Sequence, residues 1–185
     1  MSTSAKPYHH GDLRAALIRA AVDMLEEGEN YSLRAVARRT GVSPTAPYRH
    51  FPDREALDTA VAGEGFTDLH GALSATLDAA PDSADPVEVM AELGVTYVEF
   101  ARRRPAVFRL MFADGCGSGN GSADRLHALL EQALSRLFPA RSTPELCTGL
   151  WGLAHGLAFL HLARADADTD TTAHVRAAVA AVLRL

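Results

Sequence analysis

The sequence predicts an all-α fold. Apolar residues recur at helical spacing through most of the chain, and no β-branched alternating runs bounded by hairpin turns occur. Cap-and-proline pairs such as Asp85-Pro86 and Thr143-Pro144 punctuate that pattern as helix starts do. Hydrophobic residues make up 48% of the chain but aromatics only 6%, so the core must be assembled from aliphatic and small side chains on closely packed helices. Its 185 residues allow one large or two small domains. The elements described next divide them into 1–65 and 66–185.

The first helix is expected from about His10 to Glu27, with Leu13, Leu17, Ala20, Ala21 and Met24 on one face. Asp12 suits its positive end, and His9, His10 and Arg14 lie where backbone phosphates could be touched. Gly28 closes it, and Tyr31 leads to Ser32, an N-cap for a second helix. Leu33, Val36 and Ala37 face inward there, and Arg34, Arg38 and Arg39 face away. Gly41 suits a left-handed helix end, and Val42 anchors the turn. Ser43 as N-cap and Pro44 at the first position then predict a short helix from about Pro44 to His50, with Pro47 at its fourth position. Phe51 returns to the core, while Pro52 and Asp53 stop the chain and cap a long helix to about Ala79.

That long helix carries Leu57, Val61, Phe66, Leu69, Leu73 and Leu77, and glycines 63 and 65 predict a bend near Gly65. It bridges the N-terminal part to the rest. After a polar linker at 80–85, Asp85-Pro86 opens a helix with Val89, Leu93, Tyr97 and Phe100 inward. Arg102, Arg103 and Arg104 suit its negative end; a second nucleic-acid patch is the other reading of them. Pro105 starts a short helix that is apolar on nearly every side. The run GCGSGNGS at 115–122 reads as flexible and lacks the Gly-Lys-Ser/Thr ending of a phosphate loop. Three helices remain: one carrying Leu126, Leu130, Ala133 and Leu137, one from Thr143-Pro144 to about Arg164, and one from about Thr171 to Leu185 with Val175, Val179 and Leu183 inward. The total is nine helices.

Charge singles out Ser32 to Arg54. Those 23 residues hold five arginines and one aspartate in a chain whose net charge is −5. Residues 1–65 as a whole hold 8 basic and 9 acidic groups, and the remainder 10 and 14, so only the local cluster favours phosphate. A compact cationic turn between helices is what DNA reading requires. Pro44, Thr45 and Ala46 occupy the end that meets base edges, where Thr45 offers a hydroxyl and a methyl. Tyr48, Arg49 and His50 reach phosphates, as does Arg54. With Ser32, Arg34 and Ser43 these complete the candidate DNA-contacting set. Spacing alone also fits a charged surface hairpin.

Residues Tyr8 to Phe66 resemble the N-terminal domain of the TetR family of transcriptional repressors. The resemblance rests on Leu13, Ala16, Ala20 and Ala21, on Ser32, Leu33, Val36, Ala37, Gly41, Val42 and Ser43, and on Tyr48, His50, Phe51, Arg54, Glu55 and Leu57. The run GVSPTAPYRHFPDREAL is its most specific part. Pro44-Thr45 stands where many members carry Lys-Gly, and Pro47 where many carry leucine, which bears on the operator sequence rather than the fold. The segment WGLAHGLAFLHLA, through Trp151, His155 and Gly156, resembles the C-terminal domain named for tryptophan, histidine and glycine. The resemblance implies a ligand-responsive repressor that binds double-stranded DNA as a homodimer on a near-palindromic operator and dimerises through its last two helices.

The helix from Glu145 to Arg164 is apolar on most faces and should be buried on most of them, part of it against a second copy. Gly149, Gly152 and Gly156, with Val175 and Val179 on the last helix, are the candidate dimer interface; the central helix of a monomer is the alternative. Leu69, Leu73, Met90, Tyr97, Phe108, Met111, Phe112 and Trp151 are candidates to line a pocket for a small apolar effector, or else plain core. No enzyme, cofactor or metal is expected: Cys147 and His155 lie two turns apart, and Cys147, His155 and His161 lack ligand spacing on one face. A helical adaptor that binds only protein is the competing function. No membrane segment is expected, since no run of 18 apolar residues occurs, and the N-terminus lacks the apolar core of a secretion signal. Two cysteines, Cys116 and Cys147, suggest no disulfide framework, so a cytoplasmic protein is the expectation.

Overall fold

Residues 13–113, 121–163 and 170–184 are described by a computed structural model. Among them are eight α-helices, one 3-10 helix and no strand. In order these are α1 (Leu13–Glu26), α2 (Leu33–Arg39), the 3-10 helix Pro47–Arg49, α3 (Arg54–Ala79), α4 (Pro86–Arg103), α5 (Pro105–Met111), α6 (Ser122–Leu137), α7 (Pro144–Ala163) and α8 (Thr171–Leu183). The expected glycine-rich loop, with Cys116, and the histidines at 9 and 10 lie outside the described residues.

The chain divides into two compact units, 1–61 and 62–185, four residues before the boundary expected from sequence. The first closes around Leu17, Ala21, Tyr31, Val36, Ala37, Phe51, Leu57 and Val61, all nearly inaccessible. Alanines at 21 and 37 carry no side chain beyond Cβ, which suits close packing of α1 on α2. The second unit is built on α4, which packs against both α7 and α8. Asp85 caps α4 by accepting from the Val87 N–H at 3.1 Å, with Pro86 at the first position as the sequence predicted. Gly94 lets α8 approach: a Cβ there would sit 3.0 Å from Val179 Cγ2 and 3.3 Å from Val175 Cγ1. Arg141 donates to the Leu183 carbonyl at 2.6 Å, satisfying an orphan acceptor at the end of α8.

One expectation is corrected. Residues Pro44 to His50 do not form an α-helix; a turn at 44–46 leads into the 3-10 helix. The third helix of the predicted nine is therefore this 3-10 segment. Helix α3 runs unbroken from Arg54 to Ala79 through Gly63 and Gly65. Gly65 serves contact rather than a break in the helix, because a Cβ there would lie 2.7 Å from both Met111 Sδ and Val107 Cγ1 of α5. Of the three arginines at the end of α4, Arg102 is held on Glu99 at 2.9 Å and Arg104 on Asp68, while Arg103 is exposed.

The two solvent environments of glycine on α3 set a paired test. Gly71 meets nothing within 4 Å, so Gly71→Ala should stabilise by about 1 kcal/mol through helix propensity. Gly65→Ala should destabilise by about 1–3 kcal/mol, because the branched Val107 cannot swing aside. Urea unfolding of both variants checks the opposite signs.

Candidate nucleic-acid interface and regulatory face

Residues 32–54 are shaped by local backbone chemistry. Ser32 is the N-cap of α2, its hydroxyl accepting from the Ala35 N–H at 3.2 Å. At the other end the Gly41 N–H donates to the Arg38 carbonyl (3.2 Å) and the Val42 N–H to the Ala37 carbonyl (3.0 Å), with Gly41 at φ +71°. This paired closure needs a left-handed residue at 41, which glycine supplies without strain. Thr40 adds its hydroxyl to the Val36 carbonyl at 2.9 Å.

The turn that follows is governed by what Pro47 lacks. An α-helix from Pro44 would need an N–H at 47 to bond the Ser43 carbonyl; proline has none. The carbonyl takes the Ala46 N–H instead, at 2.9 Å, and the 3-10 pattern continues from Arg49 to the Ala46 carbonyl (3.2 Å) and from His50 to Pro47 (2.9 Å). Ser43 is thus not the expected cap; its hydroxyl lies 3.3 Å from that of Thr45. Pro47 is buried and Phe51 is only 2% accessible, so both ends of the segment are pinned to the core. Arg14 stacks over the Phe51 ring at 5.3 Å. Ser43, Pro44, Thr45, Tyr48, Arg49 and His50 are left exposed and Ala46 half-buried. Asp53 caps α3 through the Ala56 N–H at 2.8 Å, as the sequence predicted.

The five arginines separate into two groups. Arg39 is engaged by Glu27 (2.6 Å) and Glu29 (3.8 Å), and its hydrogen bond holds the Glu27 carboxyl below the usual carboxylate range. Arg54 bonds Asn30 at 3.0 Å, reaches Asp58 at 3.4 Å and lies 4.8 Å over the Tyr31 ring, whose hydroxyl donates to Asp58. Its role is partly that of a brace for the loop before α2. Arg34, Arg38 and Arg49 are exposed and have no ion-pair partner among the described residues. They are the charges available to an external anion. Arg38 was read from sequence only as an outward residue.

In the second unit, Leu73, Met90, Tyr97 and Trp151 of the expected pocket line an apolar cavity of about 60 Å³. Leu69, Phe108, Met111 and Phe112 do not line it. Leu69, Phe108 and Met111 are fully buried, and Phe112 packs edge-on against Phe66 at 5.4 Å. Leu126, Leu129 and Leu130 of α6 take their place in the wall. Beside the cavity Tyr97 Oη lies 3.0 Å from His155 Nδ1, and Phe112 stands edge-on to the same imidazole at 4.5 Å. Burial raises the Tyr97 phenol above its ordinary range and lowers His155, so a neutral phenol and a neutral imidazole share the bond.

The outward face of α7 is apolar and uncovered. Gly149, Gly152 and Gly156 are exposed with no atom within 4 Å of a Cβ added at any of them. Phe159 and Leu160 extend that face at 39% and 52% accessibility. α7 is long and apolar enough to cross a membrane by length and composition alone, a test that the core helix of a water-soluble protein also passes. Val175 and Val179 do not join this face. They are 0% and 3% accessible and pack on α4 at Gly94, so they belong to the core of one chain rather than to a partner.

A capped helix, a tight glycine turn and an exposed cationic turn make the first unit a helix-turn-helix domain. Comparison with known proteins agrees. Residues 17–61 match the family of bacterial regulatory proteins named for tetR, and residues 90–182 match the tetracyclin repressor-like C-terminal domain. The chain belongs to the TetR family. It is 31% identical over 108 residues to an uncharacterized HTH-type transcriptional regulator of Haemophilus influenzae, covering 57% of this chain and 51% of that protein. It is 30% identical over 130 residues to the nucleoid occlusion factor SlmA of a Marinomonas species, covering 68% and 62%. The chain thus spans between half and two thirds of the length of these curated relatives. A solved structure of a protein of unknown function from Rhodococcus sp. RHA1 superposes with TM-score 0.80 at 29% identity, covering 97% of this chain and 98% of that one.

His155 sets a pH dependence. Burial places its folded-state pKa below the ordinary 6.5, so the native state binds fewer protons than the unfolded chain. Its stabilising contribution is complete above that ordinary value and is lost as pH falls from there toward the lowered folded pKa. Thermal unfolding of wild type and His155→Gln between about pH 7.5 and about pH 5 should show wild type losing more stability on acidification. A difference that stays flat with pH would contradict this.

Proposed function

We propose that the chain is a sequence-specific DNA-binding transcriptional regulator, acting in the cytoplasm as a homodimeric repressor that answers to a small apolar effector. The observation that carries the DNA reading is the exposed turn at 43–50, which bears Arg49 and is preceded by Arg34 and Arg38, three arginines with no ion-pair partner among the described residues. Arginines placed this way exchange counterions for phosphates, while Thr45 and Ala46 meet base edges. Ser43, Pro44, Tyr48 and His50 complete the contact face, with Ser32 and Arg54 chiefly shaping it.

The uncovered face of α7 supports the homodimer. Small residues at 149, 152 and 156 let a partner backbone come close, and exposed Ala173, Ala177 and Ala181 give α8 a similar stripe. Two heads joined this way would read the two halves of a near-palindromic site and gain effective concentration from the linkage. The apolar cavity beside Tyr97 and His155 is the effector site in this reading. An effector shifts DNA affinity to the extent that it binds the two states unequally.

Selection of bound sites from random duplexes should yield a two-fold symmetric sequence. On that site Arg49→Ala should weaken binding to all sequences alike and reduce the logarithmic salt slope by about 1 for each lost phosphate contact. Thr45→Ala should instead change preference at one base pair by about 1–3 kcal/mol. The reverse pattern would reject this division of roles. Gly152→Leu should convert dimers to monomers in analytical ultracentrifugation and lower affinity for the selected site. Persistent dimers of that variant would remove α7 from the interface.

A further inference from the structure

We propose that His127, Glu131 and Cys147 form a metal site of the zinc class that fastens α6 to α7. The sequence reading tested Cys147 only against His155 and His161 on its own helix. Folding brings it instead against α6, where His127 and Glu131 stand one helical turn apart on the same face. Cys147 Sγ is 3.6 Å from His127 Nε2, and that nitrogen is 3.7 Å from Glu131 Oε1. All three donor atoms lie within 4.8 Å of one another.

Two of the three spacings are close to those of a coordination polyhedron, and a turn of the exposed Glu131 side chain toward Cys147 would close the third. Ordinary zinc bond lengths in a tetrahedron put sulfur and nitrogen about 3.5 Å apart, and nitrogen and oxygen about 3.4 Å apart. His127 and Glu131 stand at ion-pair rather than hydrogen-bond distance, so a cation can enter between them. One soft thiolate, one imidazole and one carboxylate suit zinc and its Irving–Williams neighbours and disfavour magnesium and calcium, which require all-oxygen sets. Binding releases the thiol proton to solvent, leaves His127 neutral with its proton on Nδ1, and balances two anionic ligands against a dication.

The site is asymmetric. Cys147 is 1% accessible, while the His127 and Glu131 side chains are 37% and 56% accessible. The thiol anchors the ion from the protein side, and the fourth position opens to water, as in sites that keep an exchangeable ligand. The His127 ring lies 5.9 Å from Trp151, which is the single tryptophan of the chain. Trp151 lines the apolar cavity, as do Leu126, Leu129 and Leu130 of α6, so metal occupancy ties together two walls of that cavity. The site stands independently of DNA binding.

Full-length protein stripped with a chelator and titrated with Co²⁺ tests the assignment. The expected result is one Co²⁺ per chain, a thiolate-to-cobalt charge-transfer band, quenching of Trp151 fluorescence, and displacement of all three signals by Zn²⁺. Glu131→Gln and His127→Gln, both at the solvent side, should fold and weaken affinity by at least about tenfold. Cys147→Ser should abolish the charge-transfer band. Absence of that band in wild type at stoichiometric Co²⁺ overturns the proposal. So does a band that survives Cys147→Ser, which would place the ion on Cys116, or an affinity unchanged in both α6 variants.

Discussion

A segment of eight residues containing two prolines cannot hold its own shape. Isolated helices this short are unstable in water, and Pro47 removes the hydrogen bond that would begin an α-helix at Pro44. What fixes residues 43–50 is burial at the ends: Gly41 and Val42 closing onto α2, Pro47 inside the core, and Phe51 beneath Arg14. The exposed side chains between those anchors therefore inherit their placement from apolar packing. The shape of this exposed turn thus depends on the core of the first unit.

Electrostatic selection follows from the same economy. The chain is acidic, with a net charge of −5, yet the surface that faces an external anion is cationic. Internal pairing decides which charges count. Arg39 and Arg54 are occupied by Glu27, Glu29, Asn30 and Asp58, and they stiffen the first unit. Arg34, Arg38 and Arg49 are not so occupied among the described residues. Counting arginines along the sequence overstates the available charge, and only the folded arrangement sorts braces from contacts.

Much of this was legible beforehand because it is local. The Ser32, Asp53 and Asp85 caps, the left-handed Gly41 and the inward stripes of α2 and α4 depend on residues within one or two turns, so spacing reveals them. What failed was not local. Reading Pro44–His50 as α-helical weighed favourable start signals above one missing donor. Along the sequence Gly65 shows only a weak point in a helix, whereas Val107 and Met111, some forty residues away, make it a contact. Val175 and Val179 showed the right periodicity but not which neighbour they meet, and that neighbour is Gly94 of the same chain. The meeting of His127 and Glu131 with Cys147 likewise depends on how α6 lies on α7. The part of the cavity wall that α6 supplies was hidden for the same reason: an amphipathic stripe announces burial without announcing against what.

The salt dependence of duplex binding tests the central claim most directly. If Arg34, Arg38 and Arg49 of two chains engage about six phosphates, log Kobs should fall with log salt at a slope of about −5. Binding of that steepness to double-stranded oligonucleotides, measured by fluorescence anisotropy without effector, is the result the account predicts. No binding at low ionic strength, or a slope near zero, would contradict it.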